Sequence, residues 1–333
     1  MTTHTHSDIK SLQPNRYIEG AYGLLNPQIG TTRGGKPYLK CLLRDASGDA
    51  PARQWSFEAS QLSEVSKTGF VWVSGHTQDY NGQLQIIVEQ IRQYQVSEDE
   101  LVSLLPATKK DIDEMFSEVE HLLKSLTHPA MRALAVLFLG DEELMRRFRQ
   151  APAAMSLHHA WVGGLLEHTV QIMKLADGML KLYPALNRDL VLMGLFLHDL
   201  GKVYELTWER GFEYTIGGNL IGHVVGGAMI LKEKLNEMPA SGPSALSEPA
   251  EMALMHIILS HHGLLEFGAA KLPSTPEAIF VSNLDDLDAK TQMGISAARC
   301  DGDDENSSRS PLTEKIWALN TRLYKPDPLA GED

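Results

Sequence analysis

Two hydrophobic periods divide the chain. Between residues 17 and 93 lie five short β-rich runs, several of them alternating in polarity: YIEGAYGLL, KPYLKCLLRD, ARQWSFEA, GFVWVSGHTQ and LQIIVEQIRQ. A period of two turns one face of each run inward, the mark of a half-buried β-strand. Clusters of turn residues, TTRGGK, DASGD and YNGQ, separate the runs, and Asn81-Gly82 signals a tight hairpin. Five short strands within about eighty residues predict a small closed barrel of the OB type.

Past residue 97 the period lengthens. Ile112, Met115, Phe116, Val119, Leu122, Leu123 and Leu126 recur at three-and-four spacing. This predicts a helix with Thr108 as N-cap and Pro129 as its stop. Further helices are predicted over 129–138, 141–149, 157–182, 188–200, 222–237, 249–260 and 276–298. ELTWERGFEYTIGGN reads as a small hairpin between two of them, and MPASGPSALSEP as a flexible loop. The expected architecture is multidomain α and β. An N-terminal tail (1–13) precedes an OB-fold β-barrel (14–96), a helical connector (97–150), a C-terminal all-α bundle (151–325) and a short tail (326–333).

Charge sharpens this division. The 333 residues carry a net charge of −13, which argues against bulk electrostatic coating of duplex nucleic acid. Residues 14–95 hold eight Lys or Arg against seven Asp or Glu, so the acidity lies behind the barrel. Cys41 and Cys300 are the only cysteines, which excludes a disulfide framework and a cysteine zinc site. The longest uncharged apolar run, Leu190 to Leu197, is too short to span a bilayer. MTTHTHSDIK has no apolar signal core, so a cytoplasmic protein without a membrane partner is expected.

The chemistry gathers in the helical half. Eight of the thirteen histidines lie between His158 and His262: HHA, EHT, HD, GH, His256 and SHHG, with NLDDLDAK following. A single histidine on an apolar helix is usually a satisfied core residue. Several at helix ends, with carboxylates between them, point instead to a metal centre. Imidazole and carboxylate without thiolate suit Mn, Fe, Co, Ni or Zn. In LFLHDLGK the aspartate beside the histidine can bridge two ions, which makes His198-Asp199 the natural pivot of a one- or two-metal site.

EHT, HDLGK thirty residues later, GH, SHHG and LDDLDAK together resemble the HD superfamily of metal-dependent phosphohydrolases. The resemblance implies that His168, His198, Asp199 and Asp285 hold a first metal. Asp199 would bridge to a second, bound by His223 and His261, with His262 as a replacement for His261 or a substrate contact. The resemblance prefers Asp285 to Asp286 and Asp288 because the family's last ligand opens a D-x-x-D-A-K pattern, matched here by Asp285 to Lys290. RGGKPYLKCLLRDASGDAPARQW, APAAMSLHHAWVGGLLEHT, HDLGKVYEL, GNLIGHVVGGAMI and IILSHHGLLEFG extend the likeness over nearly the whole chain. They resemble the YhaM-type 3′-to-5′ exoribonucleases, which join an N-terminal OB domain to a C-terminal HD domain.

A hydrolase follows as the expectation: a metal-dependent 3′-5′ exonuclease on single-stranded RNA, with single-stranded DNA also open as substrate. Two divalent ions are expected, with manganese favoured and Fe, Co, Ni, Mg or Zn as alternatives. Lys202, one turn after Asp199, is a candidate phosphate contact; the alternative is a surface lysine after a helix-ending glycine. His159 and His262 are candidates for substrate contact or proton transfer, and packing roles are expected for His158 and His256. On the barrel, Tyr38, Trp55, Trp72 and Tyr80 with Arg33, Lys36, Lys40 and Arg53 are parts for gripping a strand. Tyr38 and Trp55 are favoured because cations flank them, and the TTRGGK loop brings Arg33 and Lys36 to phosphates. The competing expectation is a phosphohydrolase of small nucleotides with a regulatory barrel. Association into a homo-oligomer stays open.

Overall fold

The computed structural model describes residues 7–32, 34–80, 83–97, 100, 104–154, 161–208, 213–299, 311–327 and 329. Arg33, the Asn81-Gly82 turn, His158, His159 and Cys300 lie outside the described residues. The chain divides into two units, residues 1–109 with 207–213 and residues 110–206 with 214–333.

The first unit is a closed barrel of β1 (Tyr17–Thr31), β2 (Pro37–Asp45), β3 (Gly48–Trp55), β4 (Phe70–Tyr80) and β5 (Gln83–Gln93). Its strand order, β1-β2-β3-β5-β4, is closed by a parallel β3–β5 pair and the antiparallel β1–β4 pair. That order is the OB arrangement. β1 is long enough to serve two neighbours: Tyr17–Gly23 pairs with β4, and Gly23–Thr31 pairs with β2 across a register shift between Leu25 and Gln28. Such an irregularity bends a strand and helps a sheet curl shut. The alternation seen in the sequence is real. Leu39, Cys41, Leu43 and Asp45 point inward while Lys40 points out. Ile18, Tyr22, Leu39, Leu43, Val71, Val73 and Ile86 fill the interior. β3 begins earlier and ends sooner than its sequence run, stopping at Trp55 because Ser56 adopts a left-handed backbone (φ 59°).

The second unit is helical. After the short α1 (Leu62–Val65) in the barrel unit come α2 (Ile112–Lys124), α3 (Pro129–Leu139), α4 (Glu142–Gln150), α5 (Gly164–Met179), α6 (Arg188–Leu197) and α7 (Lys202–Glu205). A hairpin, β6 (Leu206–Thr207) and β7 (Glu213–Tyr214), leads to α8 (Ile216–Leu220), α9 (Gly222–Asn236), α10 (Glu248–Ser260) and α11 (Pro276–Arg299). The N-cap of α2 is Asp111, whose carboxylate accepts from Glu114 N at 2.9 Å, not the expected Thr108. Pro129 opens α3 rather than stopping α2; proline at a helix start forfeits no hydrogen bond. The N–H groups of Thr127 and His128, leading into α3, donate to Asp189 Oδ2 of α6, at 2.8 and 2.6 Å. Helices α2 to α4 belong to the second unit, where α2 packs on α5 and α3 on α6.

α6 runs through the centre, with every residue from Val191 to Leu197 buried. Its Phe196 meets Phe138 and Phe148 edge-on, at ring-centroid distances of 5.7 and 5.6 Å. This apolar sleeve sets the depth at which the next two residues, His198 and Asp199, emerge. Among the described residues no helix is long and apolar enough to cross a membrane.

Candidate metal centre

Five segments deliver side chains to one buried point. α5 carries His168, the C-terminus of α6 hands over to His198 and Asp199, and the first turn of α9 brings His223. His261 and His262 follow α10, and α11 contributes Asp285 and Asp288. Two of these histidines sit where helices end, for a shared reason. The last carbonyls of a helix lack an intrahelical donor. The Nδ1 of His198 lies 2.7 Å from Leu195 O, and that of His261 lies 2.7 Å from Ile258 O. Two carboxylates do the same work for the other rings: His168 Nδ1 is 2.7 Å from Asp288 Oδ2, and His223 Nδ1 is 2.8 Å from Glu205 Oε2.

These partners are acceptors only, so each of the four rings carries a hydrogen on Nδ1. In the neutral imidazole, Nε2 then presents a lone pair. All four Nε2 atoms face inward onto Asp199. Its Oδ2 lies 3.4 Å from His198 Nε2 and 3.9 Å from His168 Nε2. Its Oδ1 lies 3.4 Å from His261 Nε2 and 3.5 Å from His223 Nε2. The ligand atoms fall into two groups, each within a 4.8 Å spread: His168, His198 and Asp285, and His223, His261 and His262. One carboxylate oxygen of Asp199 addresses each group.

A pocket lined with acceptors is unfavourable unless cations occupy it. Asp199 Oδ1 and His261 Nε2 are buried without a hydrogen-bond partner. Among the described residues, four carboxylates (Asp199, Glu205, Asp285 and Asp288) outnumber the cationic groups they face, the Lys202 ammonium and the protonated His168 ring, so negative charge is left uncompensated. The donor set therefore fits divalent metal, held by imidazole nitrogen and carboxylate oxygen.

The ionisation of the groups follows from the same crowding. Burial opposes charge on His168, but its hydrogen bonds to Asp285 and Asp288 and the charge of Asp285 outweigh this, and its pKa is pushed up to about 9. The second proton of that ring points at Asp285 Oδ1, 3.2 Å away, so a proton and a cation compete for one place. Burial also works against the charge on Asp199, yet Lys202 and then His198 hold its carboxyl well below the usual carboxylate range. His262 is the opposite case. Burial, followed by the charge of His261, pushes its pKa down to about 3, so it stays a neutral imidazole.

Of the residues singled out in the sequence, His168, His198, Asp199, His223, His261 and Asp285 converge as described. His262 converges with them, its Nε2 2.9 Å from His223 Nε2, so both members of the SHH pair face the second group. Lys202 is not a surface lysine: its side chain is only 13% exposed and its ammonium lies 2.6 Å from Asp199 Oδ2. Gly201 does not end a helix in the left-handed region either. Its φ is −59°, and a Cβ there would stand 2.1 Å from His223 O and 2.6 Å from Gly227 N. Glycine is needed because the backbone of the HDLGK segment touches that of α9. Sequence reasoning passed over Glu205, Gln171 and the role of Asp288. Gln171 Nε2 donates to Asp288 Oδ1 at 2.5 Å, and Asp288 follows Asp285 by one helical turn on the same face. That i, i+3 spacing was the available signal; Glu205 had none.

On the barrel, Tyr38 and Trp55 are cross-strand partners on the outer face, with ring centroids 5.1 Å apart. Gly30 lies opposite Tyr38 on β1, and a Cβ there would meet the phenol ring at 2.5 Å, so the glycine lets that ring lie across the strand. The Arg53 guanidinium sits between Trp55 and Tyr80, 5.9 and 5.6 Å from their ring centres. Lys36 and Lys40 are exposed. Trp72, by contrast, is buried in the barrel wall beneath Arg92 and leaves the set of stacking candidates.

Comparison with known proteins finds relatives of the HD region and of nearly the whole chain. The HD domain family matches residues 165–290, which span all seven residues of the two ligand-atom groups and Asp199. The chain is 33% identical to the 3′-5′ exoribonuclease YhaM of Bacillus subtilis (strain 168) over 302 residues, 89% of this chain and 91% of that protein. It is 32% identical to the 3′-5′ exoribonuclease YhaM of Geobacillus sp. (strain WCH70) over 299 residues, 89% and 88% of the two lengths. Among solved structures, the second OB-fold domain of replication protein A from Methanococcus maripaludis matches at 20% identity and a TM-score of 0.21, covering 28% of this chain and 98% of that one. With a third of positions shared across nine-tenths of both lengths, the chain belongs to the family of the 3′-5′ exoribonuclease YhaM.

Proposed function

We propose that this protein is a metal-dependent 3′-5′ exoribonuclease that hydrolyses the phosphodiester bonds of single-stranded RNA. The observation that carries the reading is the Asp199 carboxylate, with each oxygen facing its own cluster of inward imidazole lone pairs. His168, His198, Asp285 and Asp199 Oδ2 would hold one cation. His223, His261, His262 and Asp199 Oδ1 would hold the other, with Mn²⁺ the favoured ion for both. Such a pair supplies Lewis acidity, lowering the pKa of a water and drawing charge from the phosphoryl oxygens.

The chain's own residues do the rest. Lys202 keeps Asp199 ionised and oriented, and adds a fixed positive charge where the phosphate would lie. His262 enters as a neutral ring, which suits a ligand better than a proton donor. The barrel is assigned the grip on the strand, through stacking on Tyr38 and Trp55 and phosphate contacts from Lys36 and Arg33. Digestion from the 3′ end is what the named activity of the YhaM relatives supports. Cytoplasmic RNA is the proposed substrate pool.

The test is a timed digestion of end-labelled single-stranded RNA with Mn²⁺ and with EDTA. A ladder of products shortened from the 3′ end, abolished by EDTA and by Asp199→Ala, is expected. Intact RNA alongside hydrolysis of a small nucleotide would refute the reading.

A further inference from the structure

Each cation position includes one ring backed by a carbonyl and one backed by a carboxylate. His198 and His261 are the carbonyl-backed pair; His168 leans on Asp288 and His223 on Glu205. We infer that Glu205 is the positioning residue of the second cation position, setting the tautomer and angle of His223 and hence the affinity of that position alone. The inference rests on the two-cation reading above.

Glu205 grips His223 twice. Its Oε1 accepts the backbone N–H of His223 at 3.0 Å, and its Oε2 accepts the ring Nδ1–H at 2.8 Å. The backbone N–H is one of the free donors in the first turn of α9, where a carboxylate is also favoured by the helix dipole. One side chain therefore fixes both the root and the tip of the ligand. The clamp is itself held. Thr215 N donates to Glu205 O at 2.9 Å, and a Cβ on Gly218 would meet that oxygen at 2.2 Å, so α8 presses against it. Glu205 follows Asp199 by six residues and ends the short α7, so the segment that supplies the bridging carboxylate also orients the ring facing its Oδ1.

The mirror residue is Asp288. Its Oδ2 accepts from His168, a member of the first ligand-atom group, and its Oδ1 from Gln171. The two backing carboxylates are therefore separable handles on the two positions.

The full chain, stripped by chelation, is titrated with Mn²⁺ while free ion is counted by electron paramagnetic resonance. Two bound equivalents are expected for the wild type. Glu205→Ala should weaken one affinity by about 10- to 100-fold and leave the other unchanged. Glu205→Gln, which keeps an acceptor oxygen but loses the charge, should fall between. Asp288→Ala should weaken the opposite affinity, and the untouched position in each variant reports that the fold survives. A role in capping α9 alone would lower the melting temperature of the ion-free chain and leave both affinities in place. That result, or equal loss at both positions, overturns the inference. A wild type that binds one ion overturns the two-cation reading and the inference with it.

Discussion

Gly201→Ala is the sharpest test of how the metal centre is assembled. The added methyl would stand 2.1 Å from His223 O, while side-chain Cβ atoms essentially never come within 3.0 Å of another heavy atom. Both obstacles, His223 O and Gly227 N, are backbone, so no rotamer change relieves them. The HDLGK turn and the first turn of α9 must therefore separate by about 0.9 Å, the shortfall between those two distances. Overpacking of this kind costs about 1–3 kcal/mol of stability. The functional cost is larger, because the separation pulls Asp199 away from His223. A misplacement of about 1 Å in a reacting constellation lowers the rate roughly 100-fold. Gly226→Ala is the matched control: it lies on the same helix, has open space where the Cβ would stand, and should be neutral or more stable by up to about 1 kcal/mol. Both variants are assayed for kcat/KM on single-stranded RNA and for thermal unfolding. If Gly201→Ala matched the wild type in both, the backbone contact would not be what positions the site.

The barrel supplies a second prediction. Trp55 is 46% exposed, so Trp55→Ala should leave the melting temperature unchanged while weakening binding of single-stranded RNA by about 1–3 kcal/mol, measured by fluorescence anisotropy on a catalytically dead Asp199→Ala background. Unaltered affinity would remove the stacking role. Asp141 caps α4, its Oδ1 accepting from Leu144 N at 3.0 Å, and its pKa is lowered by that hydrogen bond and, against burial, by Lys234. A lowered carboxyl pKa contributes stability above the unfolded value of 3.8 that is lost as pH falls through the folded value. Asp141→Ala should therefore cost about 1 kcal/mol near pH 7, and the gap from wild type should close as pH drops below about 4. A gap independent of pH in urea unfolding would show that the cap acts without its charge.

Much of this protein was legible from the chain alone. Period-two alternation in β2 follows from a barrel wall with one wet and one dry face, and that signal is local. The helices of the second unit were equally plain, because an apolar stripe at three-and-four spacing needs no partner to be seen. The candidate ligand residues could be picked out because EHT, HDLGK, GH, SHHG and LDDLDAK resemble the motif blocks of the HD superfamily. The N-cap of α2 and the end of β3 were missed. Each depends on a single hydrogen bond or dihedral, at Asp111 and Ser56, that several nearby residues were equally able to provide.

What the sequence by itself determined is therefore composition and order: a strand-rich module, then helices, with five candidate ligand histidines (His168, His198, His223, His261 and His262) and two candidate aspartates (Asp199 and Asp285) spaced along them. Only the tertiary structure decided which atom faces which. Asp199 turns one oxygen to each group, Lys202 is drawn inside by that carboxylate, and Glu205 becomes part of the site although nothing in its neighbourhood marks it. The physical reason is range. Periodicity and capping act over a few residues, as do the carbonyls three positions back that orient His198 and His261, whereas Asp288 directs the lone pair of His168 across 120 positions.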